Sequence, residues 1–166
     1  MSQANQNGLQ SHLWEAANIL RGSAVDRTDW KGYILPLLFF KRISDVWDEE
    51  HARMLEEYGE DFTDEHRFQI PDGCHWDDIR STAQNVGAAL KHAMQEIERA
   101  NPDTLYRVFG TGDWGNKEKF TDELIKDMIE GFSAIELGNN AVDTDVLGDA
   151  YEYLVGKFAD VTRRNK

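Results

Sequence analysis

A chain of 166 residues that is 40% hydrophobic and 11% aromatic is long enough for one compact domain with a single core. This composition excludes a disordered chain, because disordered chains lack the apolar residues whose burial offsets the loss of chain entropy. The formal net charge is −13, from 31 acidic and 18 basic residues. Since an acidic surface repels phosphates, this charge argues against strong autonomous binding of nucleic acid.

Features of membrane and secreted proteins are missing from the sequence. No apolar run approaches the roughly 20 residues that cross a bilayer, and residues 1–7 lack the basic and apolar regions of a signal peptide. Cys74 is the single cysteine, which excludes an intramolecular disulfide and a thiolate metal cluster and fits a reducing compartment. We therefore expect a cytoplasmic protein without a membrane contact.

The first part of the chain predicts two helices. Residues 1–8 are polar and are expected to be flexible. Apolar residues then recur at helical spacing over 9–20 and stop at Gly22, a residue type that commonly follows a helix C-terminus. After a polar break, the same spacing predicts one long helix over 30–58. Pro36 lies inside this helix, where it removes a backbone hydrogen bond and should produce a kink.

The second part of the chain predicts three more helices and no strand. Helical periodicity marks the segments 86–100, 120–132 and 144–160. The last of these helices should begin with Asp143 or Thr144 as its N-cap. No stretch alternates with period two, so the predicted fold class is all-α. We expect a single helical domain over 9–160, with about five main helices of which one is long and proline-kinked.

The fifth predicted helix has apolar residues on two sides. One stripe should face the core and is formed by Leu147, Ala150, Tyr151, Leu154 and Phe158. Val146, Tyr153 and Val155 lie off this stripe and are candidates for contact with another domain or a partner.

Two local basic groups are candidates for contact with DNA despite the acidic average. They are Lys41 and Arg42 in the long helix, and Arg163, Arg164 and Lys166 in the tail. Because these patches are small, we expect the chain alone to bind duplex DNA weakly and with strong salt dependence.

Residues 110–115, Gly-Thr-Gly-Asp-Trp-Gly, match the G-x-G-x-x-G pattern of loops that hold a dinucleotide or S-adenosylmethionine. Such a loop requires a preceding parallel strand within a βαβ unit. Only 105–109 could be that strand, and no later segment supplies a partner for it. We interpret the motif as a turn and predict no catalytic or cofactor-binding residue, with a small enzyme that uses this loop as an alternative.

Three histidines lie beside carboxylates and raise the question of a metal site: His51, His66 and His75. None has the spacing that places two ligands on one helix face, so we interpret them as solvated surface and predict no metal ligand. Five aromatic residues of the long helix could stack on bases: Trp30, Tyr33, Phe39, Phe40 and Trp47. Their helical spacing favours core packing or a protein interface.

Three segments of the chain resemble one protein family. Residues 13–22, Leu-Trp-Glu-Ala-Ala-Asn-Ile-Leu-Arg-Gly, and 33–45, Tyr-Ile-Leu-Pro-Leu-Leu-Phe-Phe-Lys-Arg-Ile-Ser-Asp, resemble the opening of the methyltransferase (M) subunits of type I restriction-modification systems, called HsdM. Residues 145–154, Asp-Val-Leu-Gly-Asp-Ala-Tyr-Glu-Tyr-Leu, are similar to the end of the same N-terminal domain. Order and spacing agree, so the resemblance covers nearly the whole chain.

The resemblance implies a domain that acts in assembly and helps to close a complex around DNA. In the family a catalytic domain follows, which binds S-adenosylmethionine and methylates adenine at N6. Residues 161–166 would be a basic linker toward that domain, which this chain lacks, so no cofactor is expected here. The implied partners are the specificity (S) subunit, a second M subunit, the restriction (R) subunit and, in the assembled complex, DNA. The alternative is a free-standing helical protein-interaction adaptor without an enzymatic role.

Overall fold

The described part of the chain is built from helices. The computed structural model describes the backbone of residues 3–164 and the side chains of residues 8–160. Six α-helices follow one another: α1 (Gln3–Ala17), α2 (Trp30–Tyr58), α3 (Trp76–Arg80), α4 (Val86–Ala100), α5 (Asp122–Ser133) and α6 (Thr144–Arg164). Short 3-10 turns lie at Asn18–Leu20, Arg27–Asp29 and Thr63–Glu65. This part of the backbone contains no strand, which confirms the all-α class.

Two helix ends lie outside the predicted boundaries. α1 begins at Gln3, six residues before the first apolar residue of its pattern, and α6 extends to Arg164. The expected flexibility of residues 1–8 stays a prediction. Within the described segments, no helix combines the length and the apolar character that a membrane crossing needs.

Side-chain caps and one left-handed glycine set several helix ends. Thr121 Oγ1 accepts a hydrogen bond from the Leu124 N–H at the start of α5, at 3.1 Å. At the start of α6 the Asp143 carboxylate accepts the Val146 N–H at 2.8 Å, which confirms Asp143 as the cap. α2 ends at Tyr58 and is followed by Gly59, whose φ of 75° lies in the region that L side chains rarely adopt.

The middle of α2 forms the centre of the core. The side chains of Ile34, Leu37, Leu38 and Phe40 are fully buried, and the helix continues through Pro36. α1 packs against α5 and α6, and both of these contact α2. Because this stretch of α2 is covered on all sides, each large apolar side chain contributes about 1.5–3 kcal/mol of burial free energy.

α4 packs closely against the backbone of Trp114, and its N-terminus is hydrogen bonded to the carboxylate of Asp122. A Cβ at Gly87 would lie 2.0 Å from the Trp114 carbonyl oxygen, so glycine is needed there. The Asp122 carboxylate accepts the N–H groups of Asn85 and Val86, each at 3.0 Å. These hydrogen bonds hold the pKa of Asp122 below its ordinary value, because they favour the ionised form.

Candidate functional site

Lys41 and Arg42, which were expected to contact DNA, lie inside the domain. Only 4% and 8% of their surfaces are exposed. The Lys41 ammonium pairs with the Asp45 carboxylate and donates to the carbonyl oxygen of Ile135 at 2.6 Å. This placement corrects the interpretation of both residues, because a DNA phosphate cannot reach a buried cation whose donors are already engaged.

The Arg42 guanidinium fastens an irregular segment after α5 to the long helix. Its Nη1 donates to the carbonyl oxygens of Leu137 at 2.7 Å and Val142 at 2.9 Å, and its Nη2 donates to the Asn139 side chain. Desolvation lowers the pKa of Arg42 from its ordinary value, although an arginine stays charged at neutral pH. The buried carbonyls lack helical or strand partners, so the guanidinium satisfies them.

Two carboxylates of α2 accept backbone N–H groups of the same segment. Asp45 accepts the Leu137 N–H at 2.9 Å, and Glu49, one turn later, accepts the Asn140 N–H at 2.8 Å. Burial raises the pKa of Asp45, because desolvation outweighs the opposing effect of the Lys41 ion pair. α2 thus holds the connection between α5 and α6 through the donor groups of Arg42 and the acceptor groups of Asp45 and Glu49.

One residue of the predicted apolar stripe of α6 is exposed, and another, Leu147, is half-buried. Ala150, Leu154 and Phe158 are buried, as the periodicity predicts. Tyr151, which was assigned to the same stripe, is 38% exposed, and its ring stacks on Phe39 with centroids 5.8 Å apart. Since successive helical residues are turned by about 100°, the residue after Ala150 falls at the edge of the stripe.

The three partner candidates of α6 flank the buried stripe. Val146, Tyr153 and Val155 are half-buried and pack against the core with part of their surface. The Lys157 ammonium lies 5.6 Å from the ring centroid of Tyr153. Each of these side chains therefore has one part buried in the core and another part exposed at the surface. Their contact with a partner stays a prediction. The side chains of three DNA-contact candidates lie outside the described residues: Arg163, Arg164 and Lys166.

Residues 110–115 form a turn that packs on aromatic rings. The residues 105–109 before it are also turns, so the strand that a phosphate-binding loop requires is not there. The rings of Tyr33 and Trp114 meet edge to face with centroids 5.1 Å apart. A Cβ at Gly112 would lie 3.0 Å from the Tyr33 ring, so this glycine lets the turn close over the ring. The observed conformation agrees with the interpretation of the motif as a turn.

Histidines that were interpreted as solvated surface come together beside Trp47. The side chain of His66 is 0% exposed, which corrects that interpretation for this residue. The Trp47 ring is nearly parallel to those of His66 and His51, with centroid separations of 4.3 and 5.0 Å, and it meets His75 edge to face at 4.5 Å. Asp61 lies against both stacked histidines. The spacing of the histidines in the sequence does not reveal this cluster, because its members come from α2 and from the loop that follows α2.

These features define a small all-α domain organised around one long, buried helix. The family described as the HsdM N-terminal domain matches residues 9–132, and the chain belongs to this family.

Known proteins are similar over most of the chain. The type I restriction enzyme MpnII methylase subunit of Mycoplasma pneumoniae is 22% identical over 192 residues, which cover 93% of this chain and 35% of that protein. The type I restriction enzyme MjaIX methylase subunit of Methanocaldococcus jannaschii is 24% identical, with 92% and 31% covered. The chain spans about a third of the length of these relatives.

A solved structure shares the fold. It is the crystal structure of the type I restriction-modification system methyltransferase subunit from Streptococcus thermophilus, with a TM-score of 0.66 and 24% sequence identity. The match covers 93% of this chain and 39% of that chain. At this identity the likeness establishes the arrangement of the helices.

Proposed function

We propose that the chain is the N-terminal assembly and DNA-clamping domain of a type I restriction-modification adenine methyltransferase subunit. The observation that carries the proposal is the family match over 9–132, which runs from α1 into α5. Family membership is a stronger argument than the helical architecture, because one architecture serves many functions.

In this proposal the full-length subunit transfers a methyl group from S-adenosylmethionine to the exocyclic N6 of adenine in DNA. The cofactor is bound by a catalytic domain that follows the helical domain. The chain's similarity to methylase subunits about three times its length supports such an arrangement.

The partners of the domain are then the specificity subunit, a second methyltransferase subunit and the restriction subunit, in the cytoplasm. DNA is bound by the assembled complex, whereas the domain alone binds it weakly because of its net charge of −13. α6 is the joint toward the catalytic domain. Its half-buried side chains Val146, Tyr153 and Val155 retain apolar surface that a second domain can cover.

The variant Tyr153→Glu tests this joint. The isolated chain should stay folded, because the side chain is only half-buried and Lys157 lies close enough to pair with the new carboxylate. In the full-length subunit, assembled with its specificity partner, methyl transfer should fall about 10-fold or more, since a charge would be buried between domains. Glu152→Gln, an exposed neighbour on the same helix, is the matched control and should change neither property.

Two results distinguish a failure of the proposed α6 joint from a failure of the proposed function. If Tyr153→Glu leaves assembly and methyl transfer at the level of the unaltered subunit, α6 is not the joint. If the unaltered full-length subunit, given its specificity partner, S-adenosylmethionine and DNA, produces no N6-methyladenine, the proposed function is wrong and the adaptor hypothesis takes its place.

A further inference from the structure

His66 has a hydrogen-bonding arrangement that a neutral imidazole cannot satisfy. Its Nδ1 lies 3.2 Å from Glu50 Oε1, and its Nε2 lies 2.6 Å from Asp61 Oδ1. A neutral imidazole has one N–H, so one ring nitrogen must face a carboxylate oxygen with a lone pair. The side chain is 0% exposed, and water cannot intervene freely. The other contact therefore needs either a second proton or a bound cation.

Either ring nitrogen of a neutral His66 can carry the proton, and the tautomer protonated on Nδ1 is the one that suits a metal site. In this tautomer Nδ1–H donates to Glu50, whose carboxylate also accepts the backbone N–H of Arg67, at 3.2 and 3.3 Å from its two oxygens. This leaves His66 Nε2 as the lone-pair atom that faces Asp61. Metal-bound histidines are commonly oriented in this way, by a carboxylate behind the other ring nitrogen.

A nitrogen of a second histidine, His51, lies near Asp61 and lacks a hydrogen-bond partner among the described residues. His51 Nδ1 is buried and makes no hydrogen bond to any described residue, and it lies 3.5 Å from Asp61 Oδ1. The donor atoms of His51, Asp61 and His66 all lie within 4.8 Å of one another. Bonds from one ion to such ligands are about 2.0–2.2 Å long, so the three atoms need to approach one another only slightly to share one ion, and His51 and Asp61 are partly exposed.

We propose that His51, Asp61 and His66 form a binding site for a divalent transition-metal ion, with Glu50 orienting His66. Two imidazoles and one carboxylate suit Zn²⁺, Co²⁺ or Ni²⁺ better than Mg²⁺ or Ca²⁺, which prefer sites made of oxygen atoms alone. The site links the last turns of α2 to the loop that follows, and the stacking on Trp47 limits the motion of both imidazoles. This inference does not depend on the proposed function.

The test is calorimetric titration of the untagged 166-residue chain with Zn²⁺ after treatment with a chelator. We expect one ion per chain, a higher midpoint of thermal unfolding when Zn²⁺ is present, and no comparable effect of Mg²⁺. His51→Gln and Asp61→Asn remove ligands that are partly exposed, so the fold should survive them. Either variant should weaken binding more than Glu50→Gln, for which about a 10- to 100-fold loss is expected.

His92→Gln and Asp64→Asn change exposed residues of the same types elsewhere and serve as matched controls that should bind Zn²⁺ normally. The proposal is overturned if Zn²⁺ does not bind at micromolar concentration, or if His51→Gln and Asp61→Asn bind it as the controls do. It is also overturned if nitrogen NMR shows protons on both ring nitrogens of His66 in excess Zn²⁺. In that case an imidazolium joins the two carboxylates.

Discussion

The variant Arg42→Met distinguishes two roles for Arg42, which are to hold the segment after α5 inside the domain or to contact DNA. The substitution removes the donors that reach the carbonyl oxygens of Leu137 and Val142, while methionine keeps a similar helix propensity. Each buried acceptor that loses its only strong donor costs about 1–3 kcal/mol, so the two together should cost about 2–6 kcal/mol. Domains of this size are stable by about 5–15 kcal/mol, so the loss is a large fraction of the total.

Urea and thermal unfolding of the variant measure this loss. For a domain of this length, 1 kcal/mol shifts the melting temperature by about 2–4 °C, so a decrease on the order of 4–24 °C is expected. Arg53→Met is the matched control on the same helix. The Arg53 side chain is 55% exposed and lies 3.9 Å from Glu57, and such a pair contributes about 1 kcal/mol or less. If Arg42→Met is as stable as Arg53→Met, while the assembled complex loses DNA affinity, the anchor assignment is refuted.

Three further substitutions test local features by unfolding experiments. Gly87→Ala should destabilise the fold by about 1–3 kcal/mol or more, because the new Cβ would clash with the Trp114 carbonyl oxygen. Gly32→Ala, which has open space around it in α2, should stabilise the fold by about 0.5–1 kcal/mol. Equal effects of the two substitutions would contradict the close contact between Gly87 and Trp114. Desolvation and then Asp77 raise the pKa of Asp48, so its ionised form disfavours folding as the pH rises through the ordinary aspartate range. Asp48 lies at the surface, so Asp48→Asn should raise the unfolding midpoint only slightly at neutral pH, and not at a pH at which the carboxyl group is protonated in both the folded and the unfolded state. A gain that is independent of pH would refute this reasoning.

The helices are the part of the structure that the sequence predicts well. Each of the five longer helices has an apolar face that repeats at helical spacing, and this periodicity survives a single conflicting residue such as Pro36. α3 is missed because five residues are too few to show a period, although the capping interaction between the His75 N–H and Asp78 marks its start. The early start of α1 at Gln3 is missed because its first residues are polar.

The buried polar contacts of Lys41 and Arg42 could not be predicted, because their partners are distant in sequence. Lys41 and Arg42 are adjacent basic residues, and on a sequence they are no different from a surface patch. Their acceptors are carbonyl oxygens 94 to 100 residues later, in a segment with no periodic signal. His66 illustrates the same limit, since its burial depends on Trp47 and Glu50 in a different element.

The burial of these cations also changes how the domain can act on DNA. The net charge of −13 already includes Lys41 and Arg42, yet both are turned inward and hydrogen bonded to acceptors inside the domain, so neither adds a basic group to the surface that DNA would meet. Phosphate contacts by such a surface would be weak. Under the proposed function, DNA clamping would then rely on contacts between protein subunits through the flank of α6, and basic groups elsewhere in the assembly would bind the phosphates. The salt dependence of DNA binding by the complex should accordingly be unchanged when surface lysines of this domain, such as Lys91, are replaced by glutamine.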